Sequence, residues 1–100
     1  GQQLDEAKTL LARALAAKPD EPAVIDSWGW LQYRMGHLDA AEKSLRQAWD
    51  ALKDPDIGSH LGEVLWKQGK QAEAKRIFDA VRALDPTSAV LRQTLQRLKP

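Results

Sequence analysis

Trp28-Gly29-Trp30-Leu31-Gln32-Tyr33-Arg34-Met35-Gly36-His37-Leu38-Asp39-Ala40-Ala41 decides the fold, because its small residues return at a fixed distance farther along the chain. Gly29, Gly36 and Ala41 each reappear 33 positions later as Gly62, Gly69 and Ala74, and Ala7 precedes Ala41 by 34. Self-similarity at a period of roughly 34 residues, with small residues where helices touch, marks a stack of helix-turn-helix units. The two glycines of each unit have different reasons. Gly29 and Gly62 fall inside helical patterns, where glycine costs about 1 kcal/mol against alanine, so close approach of a neighbouring helix is the expected compensation. Gly36 and Gly69 fall where a helix ends and a residue with positive φ is wanted. The one-residue difference between the two periods falls near Lys53-Asp54-Pro55, where a turn absorbs it.

Working outward, apolar spacing at helical period predicts six helices joined by short polar turns. They run near residues 3–17, 22–36, 38–52, 57–68, 71–84 and 87–98, with Pro22 opening the second and Asp54-Pro55-Asp56 offering acidic residues to the start of the fourth. Leu38, Ala41, Leu45, Ala48 and Leu52 form the inner stripe of the third helix. No strand, linker or low-complexity segment is predicted. The expected organisation is a half unit over 1–21, full units over 22–54 and 55–88, and a capping helix over 89–100, whose Leu91, Leu95 and Leu98 face inward. The leading half unit predicts an array that continues before Gly1, so the chain reads as a piece of a longer solenoid.

One hundred residues allow a single domain with a small core. Fifteen basic against 14 acidic residues leave a net charge of +1 with the signs interspersed, which disfavours nucleic acid as a partner. Cysteine is absent, so neither a disulfide frame nor a thiolate metal site is expected. No apolar run approaches the roughly 20 residues of a membrane span, and this segment is not expected to insert in a membrane.

These residues resemble the tetratricopeptide repeat family. Ile25, Trp28-Gly29, Gln32, Gly36, Ala41, Leu45 and Ala48 occupy its positions in the first full unit; Gly58, Leu61-Gly62, Leu65, Gly69, Ala74, Phe78, Val81 and Pro86 occupy them in the second. Gln32 and Leu65 stand in an aromatic slot, Lys53 replaces the terminal proline, and Val81 replaces the second alanine. The resemblance implies an all-α, right-handed α-α superhelix in which the first helix of each unit lines a concave groove for a peptide or partner protein. Its groove slots map to Asp26, Trp30, Tyr33, Arg34, Ser59, Glu63, Trp66, Lys67, Gln93 and Arg97. Helical spacing groups Trp30, Tyr33 and Arg34 on one facet and Glu63, Trp66 and Lys67 on another. Chaperone-binding members clamp a terminal carboxylate with Lys and Asn, whereas here those slots hold Asp26, Ser27, Trp30, Ser59, His60 and Glu63, so that clamp is missing.

Aromatic and cationic side chains on one facet suit an extended peptide, since Trp and Tyr bury rigid area and Arg34 and Lys67 answer carboxylates. The plainer account is that Trp30, Tyr33 and Trp66 fill space between units. Trp28, beside Gly29, is expected in the core, and Trp49, late in the third helix, in packing on the convex side or between units. His37 is expected in a turn, and His60 with Glu63 on a solvated helix face, too few ligands for a metal. Glu63 is expected to pair with Lys67 and Asp39 with Lys43. No phosphate loop, nucleophile elbow or hydrolase motif occurs, so neither catalysis nor a cofactor is expected. The composition and the Trp28-Gly29-Trp30 segment also look like bacterial repeat proteins, some of which are envelope lipoproteins that deliver substrates to proteases or assemble surface machinery. That likeness favours the periplasm or outer membrane over the cytoplasm. Self-association through Leu10, Leu11 and Leu15 of the first helix is the competing reading.

Overall fold

Apolar residues at helical spacing, broken by proline, aspartate and glycine, produce six helices in the computed structural model, which describes residues 2–99. They are α1 (Gln2–Ala17), α2 (Pro22–Arg34), α3 (Leu38–Ala51), α4 (Pro55–Lys67), α5 (Gln71–Leu84) and α6 (Ala89–Leu98), and no strand occurs among the described residues. No helix is long and apolar enough to cross a membrane.

Two starts differ from the sequence expectation, and side-chain caps explain both. Asp54 accepts hydrogen bonds from the backbone N–H groups of Asp56 at 2.8 Å and Ile57 at 3.3 Å, so α4 begins at Pro55. Asp85 folds back onto Thr87, accepting from its N–H and its hydroxyl at 3.0 Å each, and this tight turn delays α6. Ser88 then caps the helix by accepting from the Leu91 N–H at 3.1 Å. Gly36 and Gly69 end their helices with φ of +86° and +85°, the left-handed conformation that glycine adopts without a Cβ penalty.

The helices stack in two layers. Each inner helix, α2 and α4, packs against the outer helices that flank it, α1 and α3 for the former and α3 and α5 for the latter, while α6 closes on α4 and α5. Inner neighbours approach one another, α2 to α4 and α4 to α6, whereas among the described residues no Cα of α1 comes within 8 Å of α3, nor of α3 within 8 Å of α5. Tight spacing within and wide spacing without curves the stack, with α2, α4 and α6 on its concave side.

α4 is the centre of the core, with Ile57, Leu61, Val64 and Leu65 all buried. Its neighbours reach it over glycine: a Cβ on Gly62 would lie 2.2 Å from Cε1 of Phe78, and one on Gly58 would lie 2.3 Å from Cγ2 of Val81. Trp49 is buried against Gly58, between the units, one of the two placements its sequence position allowed. Trp28 is not in the core as the sequence suggested. It is half-buried, while Leu61 in the same slot one unit later is fully enclosed; α2 has no inner helix before it to close over the indole. Gln32, in the aromatic slot, replaces ring packing with hydrogen bonds. With its amide nitrogen toward α3 it donates to Ser44 Oγ at 2.6 Å and to the Ala40 carbonyl at 3.2 Å, and its oxygen accepts from Trp28 Nε1 at 3.2 Å.

The gap between α3 and α5 on the convex side is crossed by ion pairs. Glu42 meets Arg46 and Lys70 at 2.8 Å each, Arg46 also meets Glu73 at 2.5 Å, and Gln68 Nε2 donates to Asp39 at 2.9 Å. Asp39 thus bonds across units and not to Lys43. The Lys70 ammonium, with Arg46 beside it, outweighs the desolvation of Glu42 and holds its carboxyl below the usual carboxylate range.

Placing a methyl group between α4 and Phe78 is expected to be costly. Gly62→Ala overpacks the seam by about 1–3 kcal/mol, with up to ~1 kcal/mol returned by helix propensity, and should lower the thermal midpoint by roughly 5–10 °C. Glu42 generates a pH dependence: a carboxylate with a lowered folded pKa lends stability above its unfolded value, near ~4.3, and that stability fades as pH falls through the folded value. Urea unfolding of Glu42→Gln is therefore expected to show lower stability at neutral pH and a shallower loss on acidification between about pH 5 and pH 3.

Candidate functional site

Because α2, α4 and α6 run parallel along the concave side, residues at equal depth in each helix form rows across the wall. Trp30, Glu63 and Arg97 make one row, and Asp26, Ser59 and Gln93 another. Side chains cross between helices with a fixed offset, each residue reaching a partner 30 or 34 positions on. Tyr33 Oη donates to Glu63 Oε2 at 2.8 Å, and the Arg97 guanidinium donates to Glu63 Oε1. His60 Nδ1 lies 2.9 Å from Asp26 Oδ1, and its ring stacks on Trp30 with centroids 4.2 Å apart. Trp30 also leans on Tyr33, with ring centroids 4.8 Å apart.

The structure brings together five of the residues mapped from the sequence, Asp26, Trp30, Tyr33, Glu63 and Arg97, and adds His60. The sequence placed His60 on a solvated face beside Glu63. Instead the imidazole is half-buried, closed between the Trp30 ring and the Asp26 carboxylate. His60 and Glu63 do not converge on a common point, since each is engaged by a different residue of α2. The signal that could have found this contact is the offset: 60 lies 30 positions from Trp30 and 34 from Asp26, one superhelical step either way.

Ser59 does not line the wall. It is fully buried, and its hydroxyl donates to the Pro55 carbonyl of its own helix at 2.8 Å. Glu63 is 5% exposed and saturated by Tyr33 and Arg97, so it positions its neighbours and offers little surface of its own; the expected pair with Lys67 is absent. Trp66 is half-buried and packs against the core. Arg34, Lys67, Gln93 and Arg97 are exposed, and among the described residues Arg34 and Lys67 make no ion pair. His37 is exposed at the start of α3.

The electrostatics of Tyr33 report on this network. Burial, then the hydrogen bond to Glu63 and that carboxylate's charge, push the phenol far above its ordinary value, with Arg97 opposing. An acid whose folded pKa is raised loses folding stability as pH climbs above its unfolded value, near ~10.

Comparison with known proteins agrees with this geometry. The tetratricopeptide repeat family model matches residues 60–88. A TPR repeat-containing protein of Pseudomonas aeruginosa is 46% identical over 93% of this chain and 16% of its own length. Tetratricopeptide repeat protein 7A of Homo sapiens is 36% identical over 88% of the chain and 10% of its own length. Cellulose synthase operon protein C of Komagataeibacter xylinus is 36% identical over 71% and 6%. The chain thus spans a small part of these relatives. Among solved structures, the first TPR of Spaghetti (RPAP3), bound to the HSP90 peptide SRMEEVD, superposes with a TM-score of 0.84 over 98% of this chain and 79% of that one, at 20% identity. The fold is a helical repeat solenoid, and the chain belongs to the tetratricopeptide repeat family.

Tyr33 is the single tyrosine of the chain, which makes its titration directly visible. Ultraviolet titration is expected to show the phenol ionising only as the chain unfolds in alkali, and Glu63→Gln is expected to move that transition to lower pH. Tyr33→Phe should cost about 0.5–1.5 kcal/mol, and a double-mutant cycle of Tyr33 with Glu63 should give a coupling of at least about 0.5 kcal/mol in urea unfolding.

Proposed function

We propose that this array is a protein–protein interaction module whose concave wall receives a peptide or a partner protein and that performs no chemistry itself. The observation that carries the reading is Trp30, half-buried on the wall and stacked on the His60 ring behind it, with Arg34 and Lys67, exposed and without an ion pair among the described residues, in the last turns of α2 and α4. Its rotamer is fixed before a ligand arrives, so little side-chain entropy is lost on binding. Rigid aromatic anchors of this kind dominate interface energetics. The TPR of similar fold, solved with a bound peptide, supports a peptide as the kind of ligand.

Ligands selected from a random peptide library against this chain are expected to bind Trp30→Ala at least about tenfold more weakly, measured by titration calorimetry with helix content unchanged. Selected peptides that ignore this change and protect α1 or the convex side from hydrogen exchange would overturn the reading.

A second reading is favoured by one observation: Leu10 on α1 is 64% exposed, the most open large apolar side chain among the described residues. Self-association through α1 then predicts a concentration-dependent dimer in light scattering that Leu10→Asp dissolves. We further propose that the longer protein containing such an array is a bacterial envelope adaptor that brings a client to a protease or to surface machinery. The matches in Pseudomonas and Komagataeibacter support a bacterial setting, and fractionation that leaves the full-length protein wholly in the cytosol overturns the envelope assignment.

A further inference from the structure

The face of α3 and α4 that receives α5 has an equivalent on α5 and α6, and the two differ in chemistry. Counting on by 33 along the outer helices, Glu42, Arg46 and Trp49 become Lys75, Asp79 and Arg82; counting on by 34 along the inner ones, Gly58, Leu61, Gly62 and Leu65 become Arg92, Leu95, Gln96 and Lys99. On α4 both glycines admit α5, whose Phe78 and Val81 stand where a Cβ would be. On α6 Arg92 and Gln96 fill those two slots, so a helix seated as closely as α5 would meet side chains there. What remains is a cleft of about 700 Å³ bounded by α5 and α6, with Phe78, Leu91 and Leu95 at its base.

Its rim is cationic. Lys75, Arg82, Arg92 and Lys99 line it, and among the described residues Asp79 is the one acid that does. Arg82 meets Asp79 at 3.4 Å; Lys75, Arg92 and Lys99 are exposed and make no ion pair among the described residues. Asp85, in the adjoining turn, is committed to Thr87. Residues 75–100 hold six basic and two acidic side chains, against nine and twelve over 1–74, so positive charge gathers on this part of the molecule. Keeping such a face in water asks for polarity, not for one sign. The helix dipole accounts for Arg82 and Lys99 at the ends of α5 and α6, but Lys75 and Arg92 lie in the N-terminal halves of theirs, where it gives no such reason.

We propose that the cleft between α5 and α6 is a second docking surface, which takes an amphipathic helix of a partner protein whose apolar stripe is flanked by Asp or Glu. It is separate from the concave wall, since Arg92, Leu95, Gln96 and Lys99 lie on another side of α6 from Gln93 and Arg97. Two helices bound the trough as α3 and α4 bound α5, and its lining from Leu91 to Lys99 runs about 12 Å, or roughly two helical turns. The partner's helix rides higher than α5 does on α4. The stems of Lys75 and Arg92 then cover its apolar stripe while their charged heads reach its carboxylates.

Fluorescence anisotropy tests this with four-turn peptides, labelled at the N-terminus and amidated at the C-terminus, that carry Leu at helical spacing and Ala with Glu, Gln or Lys between. The Glu peptide is expected to bind at least about tenfold more tightly than the Gln peptide, less so as salt rises, and the Lys peptide not to bind. Arg92→Glu with Lys99→Glu should erase the preference for Glu while circular dichroism stays unchanged, and Trp30→Ala should leave it intact; Arg92→Gln with Lys99→Gln serves if charge reversal disturbs folding. Binding lost on Trp30→Ala and kept in the Arg92 and Lys99 double variant places the peptide on the concave wall, which overturns this inference and upholds the wall. Equal binding of the Glu and Gln peptides, or none by any of the three, overturns it and leaves the wall untouched. Two other occupants would also overturn it: a second copy, shown by a concentration-dependent oligomer that the double variant dissolves, and anionic lipid, shown by phosphatidylglycerol vesicles that hold the intact chain against the Glu peptide and release the double variant.

Discussion

How closely α4 can approach α3 and α5 sets everything else in this molecule. Gly58 and Gly62 remove the two Cβ atoms that would hold Trp49, Val81 and Phe78 away, and the space is filled by aromatic and branched side chains to interior density. That approach brings Leu61, Val64 and Leu65 to zero exposure and makes α4 the one helix with neighbours on both outer flanks and both inner sides. A helix so enclosed has its rotation about its own axis fixed. Since His60 and Glu63 extend from that axis onto the wall, their meeting with α2 and α6 follows from packing on the opposite side. The polar wall is thus a consequence of the apolar seams.

Within the wall, the buried carboxylate of Glu63 is the costly element. A charge at 5% exposure is tolerated where it is paired and hydrogen-bonded on both oxygens, which Tyr33 and Arg97 accomplish from two different helices. The arrangement ties α2, α4 and α6 through one side chain, so the spacing of the inner layer depends on a group whose loss would leave a phenol and a guanidinium without partners. Convex pairs such as Glu42 with Lys70 differ in kind. They bridge a gap that water enters, are screened by salt, and each contributes little.

The fold was legible because two periods coincide in this sequence. Apolar spacing fixes which face of each helix turns inward, and the recurrence of Gly29, Gly36 and Ala41 as Gly62, Gly69 and Ala74 fixes how helices of successive units superpose. Depth was less legible than direction. Ser59 shares its phase with Asp26, yet lies at the crowded centre where a hydroxyl turns back onto its own helix. Trp28 shares its slot with Leu61, yet sits at a layer with fewer neighbours. Glu63 and Lys67 have ideal spacing for an intrahelical pair, but a guanidinium and a phenol on adjacent helices offer the carboxylate two bonds and remove it from water. His60 was misplaced for the same reason: its partners are one unit away, and a helical wheel drawn for α4 alone does not contain them.

A repeat array converts distance along the chain into a lattice, and this has a consequence for how recognition is encoded. In the row Trp30, Glu63 and Arg97 the backbone geometry repeats while the chemistry changes from aromatic to acid to base. If each unit acted alone, the row would present three independent contacts. Because the offset of 30 or 34 hands each side chain to the next helix, the acid instead quenches the base beside it, and its row neighbour Trp30 is steadied by Tyr33, the same residue that binds the acid. The surface a ligand meets is then the remainder after internal pairing, not the sum of the slots. A change at Glu63 would alter the charge of Arg97 toward solvent and the seat of Trp30 together, so residues with little surface of their own take part in setting what the exposed ones recognise.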